Sequence, residues 1–349
     1  MSIVFAQLRQ LRYGYSLYVT GNCNELGCWN PEKAIQLNYN EIDLWKCEVE
    51  IKSENAVEYK YFVAKTNNPQ WDIRWDEGQN KVLDRTKSTD QSKIMTFNIR
   101  YDCQEDANQK RDWSHRKNLV QKLIKQINPE IFGLQEVLAH QQADLLQSFS
   151  TNYNSIGRGR QYNFWDDEAC PIFYDMIKYN LIKAEIFWLS DTPKNAGSKT
   201  YGNGFPRICT YVSLLNKMSQ DIYHVYNAHF DHEHKQSQVK SAEQIIKHIQ
   251  QYCSAQDKII VMGDLNSLPL SDSVKILQSP IGQNLKLENT IGALEIVLAT
   301  YHAWYGMKLG MHIDYIFLGN LKKKSIMIIN DQIEKQYASD HFPKVVVFE

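Results

Sequence analysis

The sequence predicts two folded units of different class, a small all-β sandwich over residues 1–88 and a layered α/β domain over residues 93–349. Two observations carry this prediction. Between Tyr13 and Leu83, apolar residues alternate or cluster at strand spacing, and Gly, Asn and Pro separate the runs. After Lys93, strand-like apolar runs alternate with helical periods, which is typical of a layered α/β domain.

The first unit contains strand patterns and no helical period. Its clearest predicted strands are residues 17–19, 45–51 and 57–63. Residues 84–92 are polar and are predicted to form a linker. In the second unit, the spacing of apolar residues predicts helices over 116–127 and 238–251.

The composition excludes several classes of protein. The 349 residues carry a formal net charge of −1, so we expect no global attraction to nucleic acid or to a membrane. No apolar stretch is long enough to span a bilayer, and the N-terminus is too interrupted for a signal-peptide core. The seven Cys are scattered and odd in number, so a disulfide framework is not expected. We therefore expect a cytoplasmic protein, and a monomer.

Six segments of the second unit share one pattern, in which a short apolar run ends in carboxylate, amide or imidazole groups. They are residues 96–100, 134–137, 227–231, 261–267, 312–316 and 339–342. A buried strand delivers such groups to the edge of its sheet. Carboxylates and an Asn suit a hard divalent cation, and two His can handle protons. This inventory predicts a metal-assisted phosphoester hydrolase.

The first unit is rich in Trp and Tyr set among turn residues, and an exposed Trp is a natural platform for a sugar ring. Its motifs are Val19-Thr20-Gly21, Glu25 to Trp29, Leu44-Trp45, Glu58 to Tyr61 and Trp75 to Asn80. In this order they resemble a family-20 carbohydrate-binding module, the starch-binding domain, over residues 5–85.

The resemblance implies a starch- or glycogen-type α-glucan as partner. The first glucan site that it implies is formed by Trp29, Lys60, Trp75 and Asn80. The second is formed by Tyr13 and Trp45, with Tyr39 as a weaker third position. A β-sandwich that binds another ligand, or that only packs on its neighbour, is the alternative.

The six motifs of the second unit occur in the chain order of the endonuclease/exonuclease/phosphatase superfamily, which residues 93–349 resemble. The resemblance implies a two-sheet α/β sandwich of deoxyribonuclease-like type. It also implies Mg²⁺ as cofactor, with Mn²⁺ as the alternative ion. Glu136 is the first candidate metal ligand, with Asn98 beside it and Asp340 opposite.

The same resemblance assigns roles to the groups around the phosphate. Asp264 orients or deprotonates the attacking water, and Asn266 contacts a phosphate oxygen. His341, held by Asp314, stabilises the phosphoryl charge.

The second imidazole is His229, near the scissile phosphate, and Glu168 orients it. Arg100 and Arg207 are candidate phosphate contacts because a guanidinium fork matches phosphate geometry, although structural ion pairs explain them equally well. The His-rich run 229–234 also permits a zinc site, a weaker interpretation because only its first His matches the family pattern.

The predicted function is a Mg²⁺-dependent phosphoester hydrolase, a phosphatase or phosphodiesterase, localised to α-glucan by the first unit. One alternative is a nuclease or deadenylase-type phosphodiesterase; nucleic acid is a possible but not favoured substrate because the chain is not basic. An alternative of another class is a catalytically inactive glucan-binding protein. Residues 155–167 and 194–206 are predicted to be the loops that select the leaving group.

Overall fold

The computed structural model describes residues 1–40, 43–87, 92–292 and 297–349. Its first part, the N-terminal module, consists of strands β1 to β8. They are β1 (Ser2–Leu8), β2 (Tyr15–Gly21), β3 (Ile35–Gln36), β4 (Asn38–Asn40), β5 (Leu44–Glu50), β6 (Val57–Lys65), β7 (Arg74–Trp75) and β8 (Lys81–Leu83). One sheet has the order β1-β5-β4 and the other β3-β2-β6-β7, with β8 also pairing with β6. The all-β class of this part is confirmed.

The α/β domain contains the remaining strands. They are β9 (Lys93–Asn98), β10 (Ile131–Gln135), β11 (Tyr153–Ile156), β12 (Ile172–Asp175), β13 (Tyr179–Trp188), β14 (Ile208–Asn216), β15 (Ile222–His229), β16 (Lys258–Asp264), β17 (Pro280–Ile281), β18 (Leu285–Lys286), β19 (Glu288–Asn289), β20 (Asp314–Gly319), β21 (Lys323–Ile328) and β22 (Lys344–Phe348). One six-stranded sheet has the order β11-β12-β10-β9-β22-β21, and the other has the order β13-β14-β15-β16-β20-β19.

Helices cover the outer faces of both sheets. They are α1 (Gln104–Ala107), α2 (Trp113–Ile127), α3 (Ala139–Ser148), α4 (Lys235–Tyr252) and α5 (Asp272–Leu277). Apolar residues of α2 pack with β9, β10 and β22 in one cluster, and those of α4 and α5 pack with β15, β16 and β20 in another. The two-sheet α/β sandwich expected from the sequence is confirmed. The sequence analysis missed α1, α3 and α5, which are short.

The apolar layer between the two sheets continues into the N-terminal module. One cluster joins Ile131 and Ile260 of the sandwich to Phe5 and Val19 of the module. The linker predicted over 84–92 includes a 3-10 turn at Arg85–Lys87, and residues 88–91 lie outside the described residues.

The module packs on the edge of the sandwich where β9, β10, β15 and β16 begin. Asn154 Nδ2 donates to the Ala6 carbonyl at 2.8 Å, and the Val4 N–H donates to Asn180 Oδ1 at 3.2 Å. The opposite edge of the sandwich, where these four strands end, carries an open cavity.

Among the helices described, none is long and apolar enough to cross a membrane.

Candidate active site

The candidate site lies at the open edge, because the strand directions bring the ends of distant segments together there. Strands β9 and β10 are parallel, as are β15 and β16, and all four end at this edge. Strands β14, β20 and β22 run antiparallel to their neighbours and begin there. The predicted site residues within four positions of these strand ends are Asn98, Glu136, Arg207, His229, Asp264, Asn266, Asp314, Asp340 and His341.

Three residues just beyond the strand ends have left-handed backbone conformations. Arg100, Glu136 and Asn266 have φ of 59°, 60° and 46°. Such conformations cost non-glycine residues free energy and are concentrated at functional sites. These three residues all line the open cavity described below.

Asn98 donates hydrogen bonds to two carboxylates at the centre of the site, those of Glu136 and Asp264. Its Nδ2 donates to Glu136 Oε1 at 2.9 Å and to Asp264 Oδ2 at 3.0 Å, while its Oδ1 accepts the Arg100 N–H at 3.0 Å. The Tyr101 N–H donates to the other oxygen of Glu136 at 3.1 Å. Asn98 therefore positions the predicted metal ligand Glu136, and its own oxygen is already hydrogen-bonded.

Asp314 and His341 form a buried pair, with His341 Nδ1 and Asp314 Oδ2 2.9 Å apart. Burial by itself would lower the pKa of His341, but the carboxylates of Asp314 and Asp264 together raise this pKa to about 10. His341 is therefore a cation at neutral pH. Its Nε2–H faces Asp264 Oδ2 at 3.8 Å.

His229 lies on the other side of Asp264, with its Nε2 3.7 Å from Asp264 Oδ2. Asn266 Nδ2 lies 3.1 Å from the Phe230 carbonyl and 3.0 Å from His229 Nε2. A carbonyl only accepts, so the amide nitrogen is fixed, and His229 Nε2 must also accept. Both N–H groups of Asn266 are thus used, one by the Phe230 carbonyl and one by His229.

The remaining nitrogen of His229, Nδ1, carries the proton and lies 3.6 Å from Glu168 Oε2. Burial, reinforced by the neighbouring Arg207, lowers the pKa of His229 to about 4. Arg160 donates two hydrogen bonds to Glu168, at 3.0 and 2.9 Å, and so fixes that carboxylate. His229 is therefore a neutral imidazole whose tautomer the surrounding residues set.

The carboxylates suit a divalent cation. Burial, together with the nearby charge of Glu168, raises the pKa of Glu136, and burial with the nearby Asp314 raises that of Asp264. Such a buried acidic cluster gains stability from a bound cation. Glu136 and Asp340, both in the cavity wall, are the oxygen donors that would hold it.

A second arrangement has ligand atoms within 4.8 Å of one another and consists of Asp264, Asp314 and His341. It is less suited to a metal, because an imidazole must lose its charge to become a ligand and His341 is held protonated. The zinc interpretation of residues 229–234 also loses support, because His232 contacts Arg207 and His234 contacts Asp231.

The two predicted phosphate-binding arginines both line the cavity but are partly engaged. Arg100 Nε donates to Asp106 at 3.0 Å. Arg207 is buried, its Nη2 lies 2.9 Å from His232 Nδ1, and its Nε lies 3.5 Å from Asp231 Oδ2. Within the described residues, Arg207 Nη1 has no hydrogen-bond partner. Arg207 is therefore the better placed of the two to bind an anion.

These groups surround an open cavity of about 620 Å³. Sequence reasoning missed several of its lining residues, namely Tyr101, Arg160, Phe205, Tyr301, Met311 and Ile313. Arg160 and Phe205 lie on the two loops predicted to select the leaving group, so the loops were identified but not these side chains. Phe205 is 49% exposed and its ring lies 5.0 Å from the Arg160 guanidinium carbon.

The first predicted glucan site lies on the outer face of β6 in the N-terminal module. Phe62 of β6 pairs with Trp75 of β7, whose ring is 4.8 Å from that of Phe62 and 43% exposed. Lys60, two residues before Phe62, is on the same face and donates to the Gly78 carbonyl at 2.6 Å. Asn80 is hydrogen-bonded to Glu58, at 3.0 Å.

Trp29 is half-buried, with φ of 61°, and its N–H donates to the Gly21 carbonyl at 2.8 Å. The second predicted glucan site needs a correction. Trp45 is only 8% exposed and its indole N–H donates to the Arg9 carbonyl, so its ring is not available for stacking. Tyr39, which contacts Trp45 edge to face, is 57% exposed, and Tyr13 is fully exposed.

Two curated relatives match parts of this chain at low identity. Protein L388 of Acanthamoeba polyphaga mimivirus is 26% identical in an alignment of 267 positions that covers 68% of this chain and 92% of the viral protein. Glucoamylase-1 of Schizophyllum commune is 34% identical over 76 residues, which are 22% of this chain and only 12% of the glucoamylase.

Solved structures match the α/β domain. The endonuclease/exonuclease/phosphatase of Bacteroides vulgatus has a TM-score of 0.66 and 28% identity, covering 75% of this chain and 99% of that one. A mannosyl-6-phosphatase of Bacteroides thetaiotaomicron has the same TM-score of 0.66 and 23% identity, covering 74% and 99%. At that identity the second likeness concerns the fold alone.

Two family models match the chain in succession. That of the starch binding domain matches residues 1–95, and that of the endonuclease/exonuclease/phosphatase family matches residues 95–341, more than half of the 349 residues. The chain therefore belongs to the endonuclease/exonuclease/phosphatase family and carries a starch binding domain ahead of the family domain.

Proposed function

We propose that the protein is a Mg²⁺-dependent phosphoester hydrolase held on starch- or glycogen-type α-glucan by its N-terminal module. One observation carries the proposal. Buried carboxylates, a cationic His341 held by Asp314 and a neutral His229 converge on one open cavity. The alternative of an inactive binding protein gives no reason for one cationic and one neutral imidazole to be held on either side of Asp264.

The residues divide the work of hydrolysis between them. Asp264, whose pKa burial raises, takes a proton from the attacking water at its Oδ2. His341 directs its Nε2–H at a phosphoryl oxygen and stabilises the charge that develops there, while Asp314 holds its Nδ1. A cation held at Glu136 and Asp340 would polarise a phosphoryl oxygen and offset its negative charge.

The cavity favours a phosphomonoester with a small leaving group. Arg207 offers a buried guanidinium with an unpartnered Nη1, which suits the charge of a phosphate. The half-exposed Phe205 ring can stack on a sugar ring. A net charge of −1 gives little electrostatic support for binding a long polyanion. Among proteins of this fold, a mannosyl-6-phosphatase provides a precedent for a phosphosugar substrate.

The module and the catalytic cavity lie at opposite edges of the sandwich. Strand β15 of eight residues separates the two edges, about 25 Å at about 3.3 Å per residue. A glucose ring bound by the module is therefore too far away to carry the phosphate being hydrolysed. We infer that the module raises the local concentration of enzyme on the glucan particle.

A hydrolysis panel tests this function. Sugar phosphates, phosphoglucan and inositol phosphates would be compared with DNA, RNA and bis-p-nitrophenyl phosphate, in EDTA and then in Mg²⁺ or Mn²⁺. We expect Mg²⁺-dependent release of phosphate from monoesters, with phosphoglucan turnover increased by the module. Preferential cleavage of the nucleic acids would instead support a nuclease, and no turnover with any ester would contradict the proposal.

A further inference from the structure

The loop between β7 and β8, residues 76–80, is held by the α/β domain. The Gln79 N–H donates to Gln147 Oε1 at 2.8 Å, and Gln147 is in the last turn of α3. Gly78 has φ of +81°, and a Cβ there would meet the same Gln147 oxygen at 1.9 Å. The loop that follows Trp75 is therefore in close contact with a catalytic-domain helix.

The strand after this loop is also joined to the α/β domain. In β8, the Val82 N–H donates to the Ser150 carbonyl and the Val82 carbonyl accepts the Asn152 N–H, both at 2.8 Å. The Asp84 N–H donates to Asn152 Oδ1 at 2.7 Å. The position of the module relative to the end of α3 is thus fixed by backbone hydrogen bonds.

A cleft of about 200 Å³ lies between the loop and α3. At about 30 Å³ per water molecule, it has room for about seven waters, the scale of one pyranose unit. The lining residues that matter here are Gln7, Lys60, Tyr61, Asp76, Lys81 and, from α3, Leu146 and Gln147.

The cleft wall contains polar groups that the protein leaves unpaired. Tyr61 is 1% exposed, and neither its hydroxyl nor Gln7 Oε1 has a hydrogen-bond partner in the described part of the chain. Buried polar atoms of this kind normally have a partner. The Lys81 ammonium lies over the Tyr61 ring, 5.7 Å from its centroid, and Gln7 Nε2 donates to Asp76 at 3.1 Å.

Donors, acceptors and an apolar surface occur together in this wall. The hydroxyl of Tyr61 can donate or accept, the Gln7 oxygen accepts, the Lys81 ammonium donates, and Leu146 adds an apolar contact. A pyranose has hydroxyls that both donate and accept, together with an apolar ring face, so it complements this set.

We propose that the cleft is a glucan subsite shared by the two domains. One glucose unit of a chain bound at Lys60 and Trp75 occupies it, and Gln147 and Leu146 of α3 complete the site. This inference rests on the proposed glucan binding. It adds that the starch binding domain alone forms only part of its own site.

Calorimetric titration of the full chain with maltoheptaose tests the subsite. Tyr61→Phe removes only a hydroxyl, and Gln147→Ala removes the α3 amide. We expect each to weaken binding by about fivefold to tenfold, the effect of one or two lost hydrogen bonds. Gln251→Ala, an exposed amide on α4, is the matched control and should bind like the wild type.

Hydrogen exchange on the wild type gives a second readout that requires no mutation. Maltoheptaose should protect the amides of residues 144–150 as well as those of the loop 76–80. The subsite is refuted if Tyr61→Phe and Gln147→Ala bind maltoheptaose as tightly as the wild type does and the sugar leaves the hydrogen exchange of residues 144–150 unchanged. The cleft would then hold only water. Failure of the wild type to bind maltoheptaose would refute the proposed glucan binding itself, and the subsite with it.

Discussion

His229 and His341 face the same carboxylate, Asp264, at 3.7 and 3.8 Å, yet their charges differ. Burial, reinforced by Arg207, lowers the pKa of His229, whereas at His341 the carboxylates of Asp314 and Asp264 outweigh burial and raise the pKa. His341 Nδ1 meets the buried Asp314, whereas His229 Nε2 accepts from Asn266 and its Nδ1 faces a Glu168 already paired with Arg160. Asp264 thus lies between a cation and a neutral imidazole, an arrangement in which it can accept a proton.

The substitution Asp264→Asn tests this role. We expect it to lower the turnover number by about 10²–10⁴-fold, as for loss of a general base, because an amide cannot take the proton from water. Steady-state hydrolysis of a soluble phosphomonoester in Mg²⁺ is the measurement. The exposed Asp272→Asn, on α5, is the control. Turnover of Asp264→Asn within a few-fold of wild type would contradict the assignment.

Glu136→Gln tests the metal site without relying on activity. Removing one carboxylate should weaken Mn²⁺ binding by at least about tenfold, since even the loss of a residue that hydrogen-bonds to a metal ligand has an effect of that size. Calorimetry on EDTA-treated protein measures the affinity. The exposed Glu288→Gln, on β19, serves as control. Unchanged Mn²⁺ affinity in Glu136→Gln would place the ion elsewhere, with the arrangement of Asp264, Asp314 and His341 as the next candidate.

At the scale of elements, the site depends on how closely neighbouring strands approach. Strands β15 and β16 pair in parallel and deliver His229 and Asp264 side by side. Gly263, one residue before Asp264, has φ of +146°, and a Cβ there would meet the Ala228 carbonyl oxygen at 1.9 Å. Only glycine fits between these strands.

Gly263→Ala should therefore push β16 away from β15. We expect a loss of about 1–3 kcal/mol in the free energy of unfolding, measured by urea denaturation, together with a large loss of turnover. Gly204→Ala is the control, because no atom lies within 4 Å of a Cβ built there and its φ is not positive. A fully stable and active Gly263→Ala would show that the strands can separate without cost to the site.

The aromatic residues of the module give a second prediction at this scale. Trp29→Ala combined with Trp75→Ala should weaken co-sedimentation with amylose by about tenfold or more, since each ring contact is worth about 0.5–1.5 kcal/mol. Trp71→Ala removes a Trp of the same module that is 67% exposed but outside the candidate site, and should bind normally. Equal sedimentation of the double variant and the control would mean that the first glucan site is misplaced.

For the whole molecule, the two domains share one apolar cluster and a hydrogen-bonded junction. Lys217, in the β14–β15 turn, donates to the Met176 carbonyl beside this junction. Burial lowers the pKa of Lys217 to about 8, from 10.5. The folded chain therefore favours the neutral amine, so this group destabilises the fold below pH 8, and the effect disappears as pH rises through 10.5.

Lys217→Met should consequently be more stable than wild type at pH 7, and the difference should shrink between pH 8 and 10.5. Thermal unfolding at a series of pH values measures this, with the exposed Lys286→Met as control. A difference in melting temperature that does not change with pH would show that Lys217 is solvated in the folded state.

The sequence predicted the fold class and the chemical types in the site, but not all of their partners. The motifs around Asp264 and His341 are local, since an apolar run and the polar residue that ends it are adjacent in the chain. Arg160, Phe205 and Tyr301 belong to loops without such a pattern, so the sequence does not predict that they line the cavity. The family resemblance places Trp45 in the second glucan site, whereas the structure shows its ring buried, because burial depends on the segments that pack over it.

By itself, the sequence determined which reactive groups this protein has. It also determined that these groups lie at strand ends, because the spacing of apolar residues along a short segment indicates which of its residues are buried. The tertiary structure decided the charge of each imidazole and which aromatic rings of the module are exposed. It also placed the module opposite the catalytic cavity. These properties depend on residues far apart in the chain, as with Asp314 beside His341 and Gln147 beside Gln79, whose contacts only the folded packing creates.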